Sequence, residues 1–211
     1  EANRDAVGEH ALMMLLTLLN KLMKADTEVR KGIWLREENR GIELQGKTVG
    51  IIGFGNMGSA FAKKLSGFDV NIIAYDPYKT IDTVEYPYIK QVSLVQLQKE
   101  ADIISLHVPL TTETKYMIND TFINLCKKEI YIINTARGKC VNTADLVKHL
   151  KTGKVKGTCL DVHEYETSSF EKLETLPEPF EYLINSDKTI LTPHIAGRTH
   201  ESNKKIAEVS A

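Results

Sequence analysis

Residues 47–59 read Lys-Thr-Val-Gly-Ile-Ile-Gly-Phe-Gly-Asn-Met-Gly-Ser, and no other stretch restricts the fold as tightly. The β-branched Val49, Ile51 and Ile52 suit a buried strand. Gly53, Gly55 and Gly58 follow at once in the spacing Gly-x-Gly-x-x-Gly, and helix formers run from Ala60 to Leu65. Between a strand and a helix, the first glycine permits a tight bend and the second lets backbone approach a pyrophosphate. The third lets the helix pack closely on the strand. The bare spacing is a weak signal; with this context on both sides it reads as a dinucleotide-binding turn. The next strand-like run, residues 70–75, ends in Asp76. A carboxylate there can accept both hydrogens of an adenosine ribose diol and repels a 2′-phosphate, so NAD is expected over NADP.

The rest of the chain alternates in the same way. Residues 1–30 carry helix formers and no proline, and read as one long helix within a leading segment, 1–31. Ala11, Leu12, Leu15, Leu18, Leu19 and Leu22 give one apolar face at helical spacing, while Met13, Met14 and Leu16 make the other side apolar too. A helix apolar all round is buried on both sides. It is therefore expected to touch its own domain on one side and another domain or subunit on the other. Changing Leu15 and Leu19 to polar residues is expected to leave the chain monomeric or insoluble. Residues 32–46, with the lone Trp34, read as a connecting arm.

Strands are expected at 88–92, 102–108, 130–133, 155–162 and 189–191, and helices at 93–100 (with Ser93 as cap), 120–127, 145–151 and 199–209. Strand–helix alternation predicts an α/β fold, a Rossmann-type doubly wound parallel sheet with a long N-terminal helix. The core would span 47–198 and the exit helix 199–211. Ligands of such sheets sit beyond the carboxyl ends of the strands. There the chain carries Gly53, Asp76, His107, residues 134–137, Asp161 and His194.

Composition removes several function classes. With 42% hydrophobic and 26% charged residues and a net charge of −1, nothing favours a nucleic acid or a membrane surface. Residues 11–19, the most apolar run, fall far short of the ~20 needed to span a bilayer. Cys126, Cys140 and Cys159 have no metal-like spacing and read as reduced thiols, so no metal is expected and the cytoplasm is the expected location.

Several local patterns now agree. The glycine turn is joined by residues 107–111 (His-Val-Pro-Leu-Thr) with Thr114, and by residues 134–138 (Asn-Thr-Ala-Arg-Gly). Leu160-Asp161-Val162 with Glu166 follows, and then residues 192–197 (Thr-Pro-His-Ile-Ala-Gly). Over nearly its whole length the chain resembles the NAD-dependent D-2-hydroxyacid dehydrogenases, a group that includes D-3-phosphoglycerate and D-lactate dehydrogenases. The resemblance implies hydride transfer between a D-2-hydroxy acid, such as 3-phosphoglycerate or D-lactate, and NAD, with a phosphoglycerate dehydrogenase-like activity as the leading reading. It implies Arg137 for the substrate carboxylate, His194 as acid and base, and Glu166 as the partner of that histidine. These roles suit the residue types. Histidine moves protons near neutral pH, a neighbouring carboxylate orients it and favours imidazolium, and arginine pairs with a carboxylate through two prongs. Glu164 competes with Glu166, and the spacing from Asp161 favours Glu166. Asn56 and Met57 are implied at the pyrophosphate, Pro109 near the adenosine half, Thr135 and Ala136 near the nicotinamide, and Asp161 near its carboxamide. Gly53, Gly55, Gly58, Asp76, His107, Thr114, Arg137, His194 and Gly197 complete the expected cofactor surround. His10, His149, His163 and His200 are assigned to structure or surface.

Two departures from the family pattern stand out. At Asn56 many relatives carry arginine, so backbone amides must do more of the anion binding. Residues 164–188 form a long acidic segment that is similar to D-lactate-type relatives. The resemblance also implies a homodimer formed through cofactor domains, and a smaller substrate domain built from sequence on either side of this one. That smaller domain is expected to be absent from these 211 residues, which should bind NAD(H) but turn over little. An NAD(H)-sensing regulator similar to the family's corepressor-like members is the alternative function. An unrelated Rossmann enzyme, such as a hydrolase with bound NAD, would not be expected to carry Arg137, Glu166 and His194 in this order.

Overall fold

The structure, a computed structural model, describes residues 2–166 and 176–210; part of the acidic segment at 164–188 lies outside them. Seven strands form one sheet in the order β3-β2-β1-β4-β5-β6-β7, and every neighbouring pair is parallel. They are β1 (Thr48–Ile52), β2 (Asn71–Tyr75), β3 (Ile89–Gln91), β4 (Ile103–Leu106), β5 (Ile130–Asn134), β6 (Val155–Leu160) and β7 (Thr189–Leu191). Helices α1 (Arg4–Leu19) and α3 (Asn56–Leu65) cover one face. On the other lie α4 (Leu94–Glu100), α5 (Asp120–Leu125), α6 (Thr143–Thr152) and α7 (Glu178–Ile184). Helix α2 (Leu22–Arg30) follows α1, and α8 (His200–Ser210) leaves the sheet after β7. The sheet is buried on both faces, which is why its strands read as near-continuous apolar runs. The doubly wound parallel fold expected above is the one observed.

The order reverses between β1 and β4, whose ends pair through Ile52 and Leu106. Chains leaving these adjacent strands run to opposite sides of the sheet and open a crevice at their carboxyl ends, the standard ligand position in such sheets.

The leading helix is not continuous. It stops at Leu19, and Lys21 takes a left-handed φ of 50° before α2 begins. The cause is the arm folding back. Ile42 N–H donates to the Leu19 carbonyl at 3.0 Å, and Lys21 Nζ donates to the Glu38 carbonyl. The Leu19 carbonyl, which a longer helix would use for its own ladder, is thereby taken by the arm. Ala11, Met14, Leu15, Leu18 and Leu19 all enter this chain's own core. Leu15 and Leu19 therefore cannot form a subunit face, and polar residues there would attack the fold. Exposed apolar surface lies instead at Met13, along α2 and on the arm, where Met23 and Trp34 are 62% and 68% exposed.

Smaller differences have local causes. Helix α3 starts at Asn56, inside the glycine motif and four residues before the run of helix formers from Ala60 to Leu65. Helix α7 was not expected, because Pro177 and Pro179 flank its start; a proline in the first helical turn is tolerated since that N–H has no helical partner. Ser93, Asn119 and Asn142 cap their helices by accepting from the backbone three residues on. Among the described residues no helix is long and apolar enough to cross a membrane.

Candidate active site

Because every strand is parallel, residues following the strands gather along one edge of the sheet. Gly53 follows β1, Asp76 β2, His107 β4, residues 135–137 β5, Asp161 β6 and Thr192 to His194 β7.

The glycine turn is built as a cradle. Gly53 has φ +89°, and a Cβ there would stand 2.5 Å from the His107 carbonyl oxygen. A Cβ on Gly58 would stand 2.1 Å from the Gly53 carbonyl oxygen, so only glycine lets α3 start this close to β1. At Gly55 a Cβ would meet nothing within 4 Å, and no side chain caps α3 there. The first-turn amides, from Asn56 to Gly58, thus face open space at a positive helix end, which is what a pyrophosphate requires. Asp76 Oδ2 accepts from Phe54 N–H at 2.8 Å, and Oδ1 accepts from Tyr78 and Lys79 N–H. Three of the roughly four acceptor positions of a carboxylate are then filled. Asp76 therefore braces the turn and keeps about one position, rather than two, for a ribose hydroxyl.

His107 lies beneath this turn, with Phe61 against its ring and Nε2 2.8 Å from Ser105 Oγ. Burial lowers its pKa to about 3, so it is neutral at ordinary pH. Its Nδ1 and the Thr135 hydroxyl are buried with no hydrogen-bond partner, two polar atoms at the strand ends that a bound group could satisfy. Pro109 and Thr114 belong to one brace: Thr114 Oγ1 donates to the Pro109 carbonyl at 2.6 Å and receives Thr111 N–H. An open Gly55 cradle, an uncapped α3, Asp76 beside the turn and the unsatisfied Thr135 and His107 together fit a dinucleotide.

After β5, Asn134 folds the backbone back on itself. Its Oδ1 accepts from Ala136 N–H and its Nδ2 donates to the Arg137 carbonyl. Arg137 is exposed, spends one N–H on the Ala136 carbonyl, and takes part in no ion pair among the described residues. Its planar donor face remains available for a carboxylate. A Cβ on Gly138 would stand 2.0 Å from the His163 carbonyl oxygen, so this loop packs directly on the one leaving β6.

That second loop carries both candidate glutamates and gives them different partners. Glu164 accepts from Thr143 N–H and from the Tyr116 hydroxyl, which makes it a helix-start brace. Glu166 Oε2 lies 3.0 Å from His194 Nδ1, while its Oε1 accepts from His163 N–H. His163 in turn places Nε2 2.9 Å from the Thr192 carbonyl. His194 itself has φ 55°. For a residue with a Cβ that left-handed backbone is strained, and such strain concentrates at functional sites.

Asp161 holds this strained loop. It is 1% exposed; Oδ1 accepts from Ile195 N–H and the Thr192 hydroxyl, and Oδ2 from Ala196 N–H. Its carbonyl takes His194 N–H at 2.7 Å. Burial alone would raise its pKa; hydrogen bonds from His10, Thr192, Ala196 and Ile195 outweigh this and hold it at about 2. The carboxylate is thus engaged with its own chain. Gly197 packs against Asn3, and its carbonyl accepts from the Ser202 hydroxyl at the start of α8. Asn134 was expected at this edge as a strand-end residue, but Thr192, His10 and Ser202 were not singled out from the sequence as site-building residues. Only the position of Thr192 inside the Thr-Pro-His run signalled it. Among the described residues no group of three or more His, Cys, Asp or Glu side chains could hold a metal ion.

Residues 12–196 match the family described as D-isomer specific 2-hydroxyacid dehydrogenase, NAD binding domain. The chain belongs to this family. It is 41% identical over 213 aligned residues to a glyoxylate reductase of Thermofilum pendens, covering 98% of this chain and 60% of that one. It is 35% identical to a D-3-phosphoglycerate dehydrogenase of Archaeoglobus fulgidus, covering 99% of this chain and 38% of the relative. The solved structure of D-lactate dehydrogenase from Aquifex aeolicus, complexed with NAD and lactic acid, superposes with a TM-score of 0.87 at 37% identity, covering 97% of this chain and 63% of that one. The chain therefore spans about 60% of the length of its glyoxylate reductase relative, and NAD is the cofactor of the domain it matches.

Proposed function

We propose that the protein carrying this chain reduces small 2-oxo acids to D-2-hydroxy acids, and runs the reverse oxidation, with NAD(H). The observation that carries the reading is the His194–Glu166 pair, with His194 held in a strained loop two strands along the sheet from the Arg137 turn. Amides of Asn56, Met57 and Gly58 hold the pyrophosphate, Asp76 takes a ribose hydroxyl, and Thr135 and Ala136 line the nicotinamide end. NAD, when bound, accepts or returns the hydride. Arg137 grips the substrate carboxylate and so fixes which carbon faces the nicotinamide. With Nδ1 turned to Glu166, His194 exchanges the proton of the substrate oxygen through Nε2. Relatives named for glyoxylate, 3-phosphoglycerate, hydroxypyruvate and lactate support the class of 2-hydroxy acid, of which phosphoglycerate is one member.

The test is a panel of glyoxylate, hydroxypyruvate, pyruvate and phosphohydroxypyruvate, assayed by NADH consumption in the wild type and in Arg137→Lys. Lysine keeps the charge and loses the two-pronged geometry, so kcat/KM should fall about 100-fold. Equal activity in the two proteins would remove Arg137 from the carboxylate role.

A homodimer and a cytoplasmic location belong to the same reading. Exposed Leu22, Met23, Val29, Ile33 and Trp34 give α2 and the arm an apolar surface suited to a second copy, and three buried free thiols suit a reducing compartment. The double substitution Met23→Lys with Trp34→Glu should give the monomer mass by light scattering with little change in Tm. An unchanged dimer mass would rule this surface out.

A further inference from the structure

Helix α1 grips the loop bearing His194 on both shoulders, using one stripe of its surface. On one side Asn3, flanking the helix start, lies against Gly197; a Cβ added to Gly197 would stand 2.4 Å from Asn3 Nδ2. On the other, His10 Nε2 lies 3.0 Å from Thr192 Oγ1 and 3.5 Å from Asp161 Oδ1, and Met14 Sδ lies 3.8 Å from the same hydroxyl. Positions 3, 10 and 14 fall on one face at helical spacing.

The protons can be assigned. Thr192 has one hydroxyl hydrogen, and its oxygen is 2.6 Å from Asp161 Oδ1, so that hydrogen goes to the carboxylate. His10 must then be the donor toward Thr192, with its hydrogen on Nε2. This donor completes a buried cluster whose remaining bonds reach the amides of Ile195 and Ala196, directly after His194. Without it, the Thr192 hydroxyl that donates to the buried Asp161 carboxylate loses its own donor just where the backbone is strained.

We infer that His10 is a positioning residue: through Thr192 and Asp161 it fixes the backbone from His194 to Ala196, and so the alignment of His194 on Glu166. Its effect on turnover rests on the dehydrogenase reading; its effect on the loop does not.

The test compares His10→Leu, which removes the donor, with His10→Gln, whose amide can restore it. On the purified 211-residue chain, amide hydrogen exchange at Ile195 and Ala196 should speed up by about tenfold or more in His10→Leu. It should return to within roughly threefold of wild type in His10→Gln. The ring-nitrogen NMR signals of His194 should move and return in parallel, while NAD affinity stays within about twofold because the glycine turn is untouched. In the protein carrying this chain, kcat for 2-oxo acid reduction should drop by about tenfold or more with KM little changed, and the glutamine should recover it. If His10→Leu does not fold, Thr192→Val removes the same link and should give the same localised exchange. Faster exchange spread evenly over the sheet, or none at residues 195 and 196, overturns the positioning role. Wild type that binds NAD and reduces no 2-oxo acid overturns the dehydrogenase reading instead, and leaves exchange to decide on His10.

Discussion

His194 occupies a left-handed backbone that costs about 1–2 kcal/mol for a residue with a Cβ. Asp161 offsets it through its carbonyl, which takes His194 N–H, and its carboxylate, which takes the next two amides. With its pKa held at about 2, Asp161 contributes stability that is complete above the ordinary carboxylate value and lost as pH falls toward 2. His107 acts in a higher window. Its folded pKa of about 3 lies below the ~6.5 of an exposed histidine, so the unfolded chain binds the extra proton between these values. Stability must therefore fall with acidification there, by about 2 kcal/mol between pH ~7 and ~5. Urea denaturation at the two pH values should show that loss in the wild type and a clearly smaller one in His107→Gln; parallel losses would mean that His107 is not buried neutral. Residue types at this edge were legible in the sequence because each motif is local. The division of labour between Glu164 and Glu166 was open until the loop's path turned one toward Tyr116 and the other toward His194. The resemblance implied Asp161 near the carboxamide; what the sequence left unread is the pair of amides, Ile195 and Ala196, that fold over its carboxylate.

Among the elements, α3 carries the proposed pyrophosphate site. It can begin at Asn56 only because Gly58 lets it sit against the Gly53 carbonyl. Gly58→Ala should push the helix start off the strand, lowering stability by about 1–3 kcal/mol and weakening NAD binding in calorimetry by about tenfold or more. An alanine variant that binds NAD as the wild type does would show that the close contact is not needed. Elements were legible wherever apolar periodicity was strong, and all seven strands were expected within about two residues of where they stand. The break between α1 and α2 was not. No glycine or proline marks it, and its cause is a hydrogen bond from Ile42, brought in from 23 residues along the chain.

In the whole molecule, one parallel sheet turns a linear series of motifs into one edge, so the order Gly53, Asp76, His107, Arg137, Glu166 and His194 could be read before any fold was known. What could not be read is the cross-chain support. His10 and Thr192 are 182 residues apart, and no local pattern couples a histidine on the first helix to the loop after the last strand. On the function proposed above, this edge moves a proton at His194 as hydride passes between NAD(H) and the substrate carbon. The most direct measurement is NADH consumption with glyoxylate, hydroxypyruvate and pyruvate by the protein carrying this chain, beside its His194→Gln variant, with the chirality of the product determined. The expected result is turnover of at least one of these acids, a D-isomer wherever the product is chiral, and a loss of about 10²- to 10⁴-fold in His194→Gln with NADH affinity unchanged. Wild type that binds NADH and reduces none of the three, or a glutamine variant as fast as wild type, would contradict it.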